Sequence, residues 1–168
     1  MAFGLVNDRK KKVKNVLVFD MGGNTLEVTV LNNNNNYRTF VISAKSTDMS
    51  VNGRCFTKII ANYCLKSISL MDISEDALQD YARQMFPACE HAKHVLSTKA
   101  IAKVNTTISG SQQIDQLIAR RTFEQEAVHL FDKCMDVVSQ TLKKKKLNPV
   151  DIDEVILSGG ATKMPKIR

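Results

Sequence analysis

The sequence predicts an α/β fold in which strands and amphipathic helices share a hydrophobic core. Between residues 15 and 47, short β-branched segments separated by turn residues indicate antiparallel strands. Two later stretches carry apolar residues at a helical period. Near the end of the chain, a short apolar segment is followed by a glycine turn and a proline, which is typical of a strand that leads into a helix.

Size and composition are those of an ordinary globular protein. The 168 residues, of which 43% are hydrophobic and 24% charged, suffice for one domain or two small subdomains with a core. No apolar run is long enough to span a bilayer, and the first six residues are too few for a signal-peptide core. The four cysteines include no Cys-x-x-Cys pair, which argues against a zinc site or a disulfide framework. We therefore expect a cytoplasmic protein without membrane contact.

Much of the net charge of +7 lies in two basic clusters, residues 9–14 and Lys143–Lys146. Such clusters could attract nucleic acid or a ribosome surface. Simpler explanations are favoured, because the first cluster lies in an N-terminal leader and the second at a helix end, where cations suit the helix dipole. Only 6% of the residues are aromatic and none interrupts the clusters, so base stacking has little support.

Residues 1–14 are expected to form a leader, and three antiparallel strands are predicted to follow it. The first strand covers Asn15–Phe19, the second Leu26–Leu31 and the third about Tyr37 to Ser46. The loop between the second and third strands is a run of asparagines, Asn32–Asn36, whose polarity places it on the surface.

The turn between the first two strands is Asp20-Met21-Gly22-Gly23-Asn24-Thr25. Gly22 and Gly23 lack a Cβ, so we expect positive φ angles that direct successive amides at one point, an arrangement that attracts phosphate. Asp20 would repel a bare phosphate, and its position therefore favours a divalent metal with its waters between the two. An ordinary glycine hairpin is the simpler interpretation, and the turn by itself favours it.

A helix is predicted to open at Asn52-Gly53, and a second at Ser74, which has acidic residues in its first turn. Pro87 lies inside the second helix and is expected to kink it. The apolar stripe of the first helix is Phe56, Ile59, Ile60 and Tyr63, and that of the second is Leu78, Tyr81, Ala82, Met85, Cys89, Ala92 and Leu96.

Four polar residues share another face of the second helix, because they are spaced by three, four and seven positions: Glu90, Lys93, His94 and Ser97. Such a group could hydrogen-bond a ligand. A solvated surface is the more common reason for a polar helix face, so both interpretations stay open here.

Two further strands, Ala100 to Ile108 and Gln113 to Ile118, are predicted around Ser109-Gly110-Ser111, and one long helix follows them. The helix ends at the lysine cluster before Asn148-Pro149, and His129 lies on its surface. Its stripe is Phe123, Ala127, Leu130, Phe131, Cys134, Val138 and Leu142.

The C-terminal segment is predicted to contain a short buried strand, Glu154–Ser158, followed by a glycine turn, Gly159–Lys163. A helix is expected to start in Met164–Arg168, with Pro165 in its first turn. A strand, a glycine loop and a helix N-terminus together favour an anion or nucleotide site. Because this helix has only just begun at Arg168, we expect the chain to be part of a larger protein.

The order of these motifs resembles the second lobe of the ATPase domain of the 70-kDa heat-shock (DnaK-type) chaperones, which has an actin-like, ribonuclease H-like fold. Residues Asp20–Thr25 are similar to the family's phosphate loop, Asp-x-Gly-Gly-Gly-Thr. Residues Cys89–Ser97 are similar to its adenosine-binding helix, and Ser158–Lys163 to its last nucleotide loop. The resemblance covers nearly the whole chain. It implies a mixed sheet with helices in residues 15–51 and 119–168, and a smaller α+β subdomain in residues 52–118.

The resemblance implies that ATP or ADP binds with Mg²⁺. In this interpretation Asp20 is a catalytic residue that orders water around Mg²⁺, while Gly22, Gly23, Asn24 and Thr25 hold the phosphates. The remaining implied nucleotide contacts are Gly53 at the edge of the cleft, Glu90, Lys93, His94 and Ser97 near ribose and adenine, and Gly159, Gly160, Ala161 and Lys163 near the α-phosphate and adenosine.

Four residues depart from the family pattern. Asn24 replaces a glycine, Arg54 stands where the family has an acid, and His94 and Lys163 replace arginines that enclose the adenine. Because a guanidinium stacks on a flat ring better than an ammonium does, the two arginine losses should each weaken base binding by about 1 kcal/mol. The chain is therefore expected to be a divergent member of the family.

Two functions follow from this interpretation. The first is the nucleotide-binding lobe of a chaperone ATPase for protein folding and the stress response, which by itself binds nucleotide weakly and does not turn it over. The second is a degenerate lobe kept as a binding scaffold for co-chaperones, exchange factors or the ribosome. The family implies J-domain co-chaperones and nucleotide exchange factors as partners, and unfolded clients only through domains that this chain lacks.

Overall fold

The computed structural model describes residues 13–33, 39–66, 75–108 and 112–168, with the backbone alone for 75–78 and 112. Within these ranges the chain forms six strands and four α-helices. The strands are β1 (Asn15–Met21), β2 (Leu26–Asn32), β3 (Val41–Asp48), β4 (Ile101–Ile108), β5 (Gln112–Ala119) and β6 (Glu154–Ser158). The helices are α1 (Gly53–Lys66), α2 (Glu75–Leu96), α3 (Arg120–Glu126) and α4 (Val128–Lys143).

Four strands form a mixed sheet in the order β3-β2-β1-β6. The pairs β1–β2 and β2–β3 are antiparallel, which confirms the three antiparallel strands predicted from the sequence. The β1–β6 pair is parallel, with Asp20 beside Ser158. Because parallel strands end at the same edge, the turn after β1 and the loop after β6 emerge side by side.

The hydrophobic core lies between this sheet and the helices. Phe56 of α1 is fully buried and lies 4.9 Å from Phe131 and 6.3 Å from Phe123, measured between ring centroids. These contacts join α1 to both C-terminal helices. The two-stranded β4–β5 sheet packs against α2 and forms a second sheet of its own.

Three predictions about these elements were wrong: the single long helix, the C-terminal helix and the burial of β6. The helix predicted after residue 118 is two helices, because the chain leaves the helical path at Ala127 (φ −94°, ψ 7°). The apolar stripe continues in phase across this break, so periodicity alone does not detect it. Residues Pro165–Ile167 form a 3-10 turn instead of an α-helix, although Pro165 does begin it.

The strand β6, which was predicted to be buried, is instead largely exposed. Val155 and Leu157 are 57% and 37% exposed, although their partners Leu17 and Phe19 on β1 are buried. The reason is position in the sheet, since β6 is an edge strand and α4 packs on β2 and β3. The three apolar residues of this strand carry no information about which strand of the sheet a helix covers.

Several predictions fall outside the described residues: the leader up to residue 12, Asn34 to Asn36 and Tyr37, Ser74, and the Ser109–Ser111 hairpin tip. The third strand begins at Val41 within the described part. Pro87 lies inside α2, which runs unbroken from Glu75 to Leu96, and His129 is exposed as predicted. Within the described ranges, none of the helices is both long and apolar enough to cross a membrane.

Replacing Phe56 with alanine should lower the free energy of unfolding by about 3–5 kcal/mol, because it leaves a cavity between α1, α3 and α4. Urea denaturation followed by circular dichroism measures this change. Met135 on α4 is 60% exposed, and Met135→Ala is the matched control, with an expected change within about 0.5 kcal/mol. Equal losses in the two variants would contradict this description of the core.

Candidate functional site

The glycine turn after β1 is held by the first residues of α1. Its own closing bond runs from Gly22 N to Thr25 O at 3.0 Å. The carbonyl of Gly22 accepts from Gly53 N at 2.9 Å, and that of Gly23 accepts from Arg54 N at 3.1 Å. The first amides of a helix have no partner within the helix, so α1 uses two of them to fix the turn.

Asn52 completes this attachment from the position before α1. Its side-chain Nδ2 donates to Asn24 O at 3.0 Å and to Met49 O at 2.8 Å. Its Oδ1 accepts from Cys55 N at 3.1 Å, which is the usual capping bond at a helix start. Three successive carbonyls of the turn, at positions 22, 23 and 24, are therefore held by the beginning of α1.

Fixing these carbonyls also fixes the amides. In a trans peptide the C=O of one residue and the N–H of the next point in opposite directions. The N–H groups of Gly23 and Asn24 therefore point away from α1, and neither donates to any group in the described part of the chain. Both residues are exposed. Two unpaired amides directed to one side form an anion-binding arrangement.

The expected positive φ angles of Gly22 and Gly23 were wrong. Among the described glycines, Gly159 has the positive φ, at 83°. The amides of the turn are oriented without any residue at positive φ, because the start of α1 and the Asn52 side chain donate hydrogen bonds to the carbonyls of the turn. Asn24 takes no positive φ either, so its side chain causes no backbone strain there.

The glycines of the site differ in what surrounds them. A Cβ at Gly22, Gly23 or Gly160 would meet nothing within 4 Å. A Cβ at Gly53 would lie 3.0 Å from Gly22 O and 3.3 Å from the Cβ of Ala161. Packing within the chain therefore explains the glycine at 53, whereas the open space at 22, 23 and 160 is available to a ligand.

Gly159 brings the second glycine loop against the first turn. A Cβ there would lie 2.4 Å from Met21 O and 2.7 Å from Oδ1 of Asp20, and its φ and ψ of 83° and 153° are accessible to glycine almost exclusively. Thr162 Oγ1 donates back to Gly159 O at 2.7 Å and steadies the loop. The carboxylate of Asp20, the first turn and the second loop thus form one continuous surface.

The predicted polar face of α2 meets this surface through a buried lysine. Lys93 is only 4% exposed, and its Nζ donates to Gly53 O at 2.8 Å, Thr57 Oγ1 at 2.9 Å and Glu90 Oε2 at 2.8 Å. Thr57 Oγ1 also donates to Glu90 Oε2. The solvated-surface interpretation therefore fails for Lys93, which links α2 to the first turn of α1.

Glu90 connects the buried lysine to the surface. Its second oxygen, Oε1, lies 2.9 Å from Nε2 of the exposed His94. Burial by itself would raise the pKa of Glu90, but hydrogen bonds from Lys93 and Thr57 and the lysine charge outweigh it and lower this pKa. Burial lowers the pKa of Lys93, and its pairing with Glu90 partly offsets that effect.

The structure thus brings most of the predicted residues together. Within the described part, three predicted residues make no direct contact with the glycine turn. His94 pairs with Glu90, Ser97 Oγ donates weakly to Lys93 O at 3.4 Å, and Lys163 is exposed. The residues that share the site surface are Asp20, Gly22, Gly23, Asn24, Thr25, Gly53, Gly159, Gly160 and Ala161, with Glu90 and Lys93 joined through Gly53.

Two residues of the site were not identified from the sequence. Asn52 was recognised only as the start of a helix, although an asparagine at that position is a capping signal. Thr57 gave no signal, because its role depends on a lysine 36 positions later in the chain. A sequence pattern within one helix cannot show which side chains meet across two helices.

The sequence of the whole chain matches a known protein family. The family model described as "Hsp70 protein" matches residues 1–168. The chain belongs to the Hsp70 family. Similar Hsp70 proteins include the chaperone protein dnaK of Cyanidioschyzon merolae (34% identical), the chaperone protein DnaK of Prochlorococcus marinus (33%) and the chaperone protein dnaK of Cyanophora paradoxa (32%).

Each of these alignments covers 100% of this chain but only 27–28% of the Hsp70 relative. The chain therefore spans slightly more than a quarter of the length of the Hsp70 proteins that it matches. The mixed α/β structure, with a mixed sheet and four helices in the described ranges, is that of an Hsp70 ATPase-domain region.

Gly159→Ala should lower the free energy of unfolding by about 2–3 kcal/mol, because the new Cβ meets Met21 O in a conformation that alanine disfavours. Gly160→Ala is the matched control, since its Cβ points into open space, and its effect should stay within about 0.5 kcal/mol. Chemical denaturation compares the two variants. The geometry of the second loop would be refuted if Gly160→Ala were the more damaging.

Acid should destabilise the fold through Glu90. Since its pKa in the folded protein is lower than the ordinary value of 4.5, Glu90 contributes stability above that pH. This contribution is lost as the pH falls through the lowered pKa, when Lys93 loses its charged partner. Unfolding free energies measured between pH 3 and 7 should fall less steeply for Glu90→Gln than for the wild type.

The control for this pH series is Glu154→Gln, which changes an exposed carboxylate on β6. The unfolding free energy of Glu154→Gln should fall with decreasing pH as steeply as that of the wild type. If Glu90→Gln and the wild type lost stability in parallel over this pH range, the lowered pKa of Glu90 would have no part in the stability of the fold.

Proposed function

We propose that this chain is the nucleotide-binding lobe of an Hsp70 chaperone ATPase, and that it holds the phosphates of ATP or ADP at the turn Gly22–Thr25. The observation that carries this proposal is the pair of unpaired amides at Gly23 and Asn24, which face the open space around Gly22, Gly23 and Gly160. Backbone amides are neutral donors, so they bind a phosphate oxygen without the desolvation cost of a buried cation.

Mg²⁺ accounts for the carboxylate next to this anion site. Asp20 is exposed at the end of β1 and lies against the backbone of Gly159. In the described part of the chain, no cluster of three or more His, Cys, Asp or Glu side chains could hold a metal. A lone carboxylate beside a phosphate site suits Mg²⁺, which keeps several waters and is usually bound by one or two carboxylates and the phosphates of its nucleotide. Asp20 would hold it through water.

The nucleoside would lie toward α2 and the second loop. Glu90 and His94 are accessible on α2, Gly160 and Lys163 are exposed on the loop with Ala161 buried between them, and Ser97 lies further along α2. Lys93 is buried next to Glu90 on the same helix. Arg54 stands where the resemblance implies an acid, and its guanidinium lies 5.2 Å from the ring centroid of Phe86.

In this proposal, ATP hydrolysis is carried out by the whole protein, of which this chain is one lobe. Phosphoryl transfer depends on positioning and on charges placed around the whole phosphate chain. This chain supplies one carboxylate and one set of amides, so it would bind nucleotide weakly and turn it over negligibly alone. ATP hydrolysis, clients, J-domain co-chaperones, exchange factors and a cytoplasmic location are proposed for the whole protein.

A scaffold function is the second candidate, and the exposed lysines at the end of α4 favour it. Lys143, Lys145 and Lys146 are exposed, and Lys144 is anchored to β3 through Lys45 O and Ser46 Oγ. A contact with the ribosome or another polyanion through these lysines should weaken steeply with salt. Capture of ribosomes by the immobilised chain at about 50 and about 200 mM salt tests this: salt-independent or absent capture argues against it.

MgADP should bind this chain with a dissociation constant in the millimolar range, and removing Mg²⁺ should weaken binding. Asp20→Ala should abolish the dependence on Mg²⁺, because the carboxylate that orders the metal's water is gone. Isothermal titration calorimetry, with and without Mg²⁺, measures both effects. Asp132→Ala, an exposed carboxylate on α4, is the matched control and should bind as the wild type does.

Absence of any heat up to millimolar MgADP would contradict the nucleotide-binding proposal. A Mg²⁺ dependence that survives in Asp20→Ala would leave nucleotide binding intact but remove Asp20 from the metal site.

A further inference from the structure

We propose that the backbone amide of Thr25 is a third anion donor of the glycine turn, and that the side chain of Asn52 is the positioning residue that directs it. This inference rests on the proposed function, because it concerns the site that would hold the phosphates. It adds a donor to the amides of Gly23 and Asn24, and it makes that donor depend on one side chain outside the turn.

The amide of Thr25 points to the same side as its two neighbours. The carbonyl of Asn24 accepts from Asn52 Nδ2 at 3.0 Å, on the side of the turn where α1 begins. In a trans peptide the N–H points opposite to the C=O, so the N–H of Thr25 is directed away from α1. Within the described residues this N–H donates to no group, and Thr25 is only partly buried. Its amide therefore matches those of Gly23 and Asn24 in direction and in lacking a partner.

The third peptide of the turn differs from the first two in what holds it. The carbonyls of Gly22 and Gly23 accept from backbone amides at the start of α1. The carbonyl of Asn24 accepts from a side chain, that of Asn52. Two of the three amides are thus directed by the helix backbone, whereas the direction of the third depends on which residue stands at position 52.

Helix capping does not account for all the hydrogen bonds of Asn52. A cap needs one side-chain oxygen, and Oδ1 of Asn52 supplies it by accepting from Cys55 N at 3.1 Å. Serine, threonine or aspartate would also cap the helix. The nitrogen of the side chain has separate partners, because Nδ2 donates to Asn24 O and, at 2.8 Å, to Met49 O. Asn52 is 7% exposed, and its side chain uses both ends at once.

Thr25 is held from both sides before any ligand arrives. Asn52 holds the peptide that precedes it, and its own carbonyl accepts from Gly22 N at 3.0 Å. Asn52 is fixed in turn, because its backbone carbonyl accepts from Cys55 N at 3.0 Å. A donor that is already oriented does not have to be ordered on binding, which favours affinity for an anion.

The test compares wild type, Asn52→Ser, Asn52→Ala and Asn62→Ser of the 168-residue chain. Asn52→Ser keeps a capping oxygen and loses Nδ2, whereas Asn52→Ala loses both. Asn62→Ser is the matched control, because Asn62 is exposed on α1. Circular dichroism checks that each variant is folded, and the serine variant keeps the test decisive if the loss of the cap unfolds the alanine variant.

NMR titration with magnesium pyrophosphate measures phosphate binding without a nucleoside. In the wild type, the amide signals of Gly23, Asn24 and Thr25 should shift together. Asn52→Ser should weaken pyrophosphate binding about five- to tenfold, which corresponds to one lost hydrogen bond, and should reduce the Thr25 shift most. Asn62→Ser should bind pyrophosphate as the wild type does. Adenosine carries no phosphate, and its binding should be the same in all variants.

Amide relaxation measured by NMR without ligand separates positioning from a general loss of stability. In Asn52→Ser, the order parameter of the Thr25 amide should fall. The order parameters of Gly23, which the helix backbone holds, and of Val137 in α4 should stay as in the wild type.

The inference and the proposed function fail in different ways. Unchanged pyrophosphate affinity and unchanged Thr25 order in Asn52→Ser would show that Asn52 only caps α1, and would overturn its positioning role. If pyrophosphate shifts the wild-type amides of Gly23 and Asn24 but not that of Thr25, the third donor is refuted and the proposed function stands. If the wild type binds neither MgADP nor pyrophosphate, the proposed function fails, and this inference fails with it.

Discussion

The hydrogen bonds between the start of α1 and the glycine turn are the contacts on which the rest of the site depends. Gly53 N and Arg54 N donate to two successive carbonyls of the turn, and Asn52 holds the third. A helix start and a tight turn each leave backbone groups without partners, and here each supplies what the other lacks. The consequence of this close approach is that position 53 admits no Cβ without displacing its neighbours.

The same contacts join the four-stranded sheet to α1 and α2. The turn and the loop at Gly159 belong to the four-stranded sheet, while α1 and α2 lead toward the β4–β5 sheet. Lys93 lies between α1 and α2 and is buried as a charge, which is tolerated because it has three close acceptors, one of them the carboxylate of Glu90. A buried ion pair is a weak source of stability, because desolvation offsets much of the attraction between the charges.

The four residues that the resemblance marks as departures from the family pattern, at positions 24, 54, 94 and 163, are all exposed. Asn24 is exposed and free of backbone strain, so its side chain shares space with a ligand without distorting the turn. Arg54 keeps the backbone bond that the site needs, and its side chain packs on Phe86. His94 remains at the surface with Glu90. The hydrogen bonds that shape the turn are in place with these residues present.

The sequence alone determined the strands around the turn, because alternation and glycine placement are local properties, and it determined that the polar residues of α2 share a face. It also predicted that Asp20, the first turn and the second loop belong to one site, through the family resemblance.

The tertiary structure decided the features that depend on neighbours far along the chain. The exposure of β6 follows from its edge position, and the break at Ala127 is invisible to a stripe that stays in phase. The direction of the turn amides is set by α1 from outside, without the positive φ that two glycines suggested. The burial of Lys93 depends on Gly53 and Thr57, which lie 40 and 36 positions away. Periodicity identifies the face of a helix on which a residue lies, whereas its partners depend on which elements the fold brings against that face.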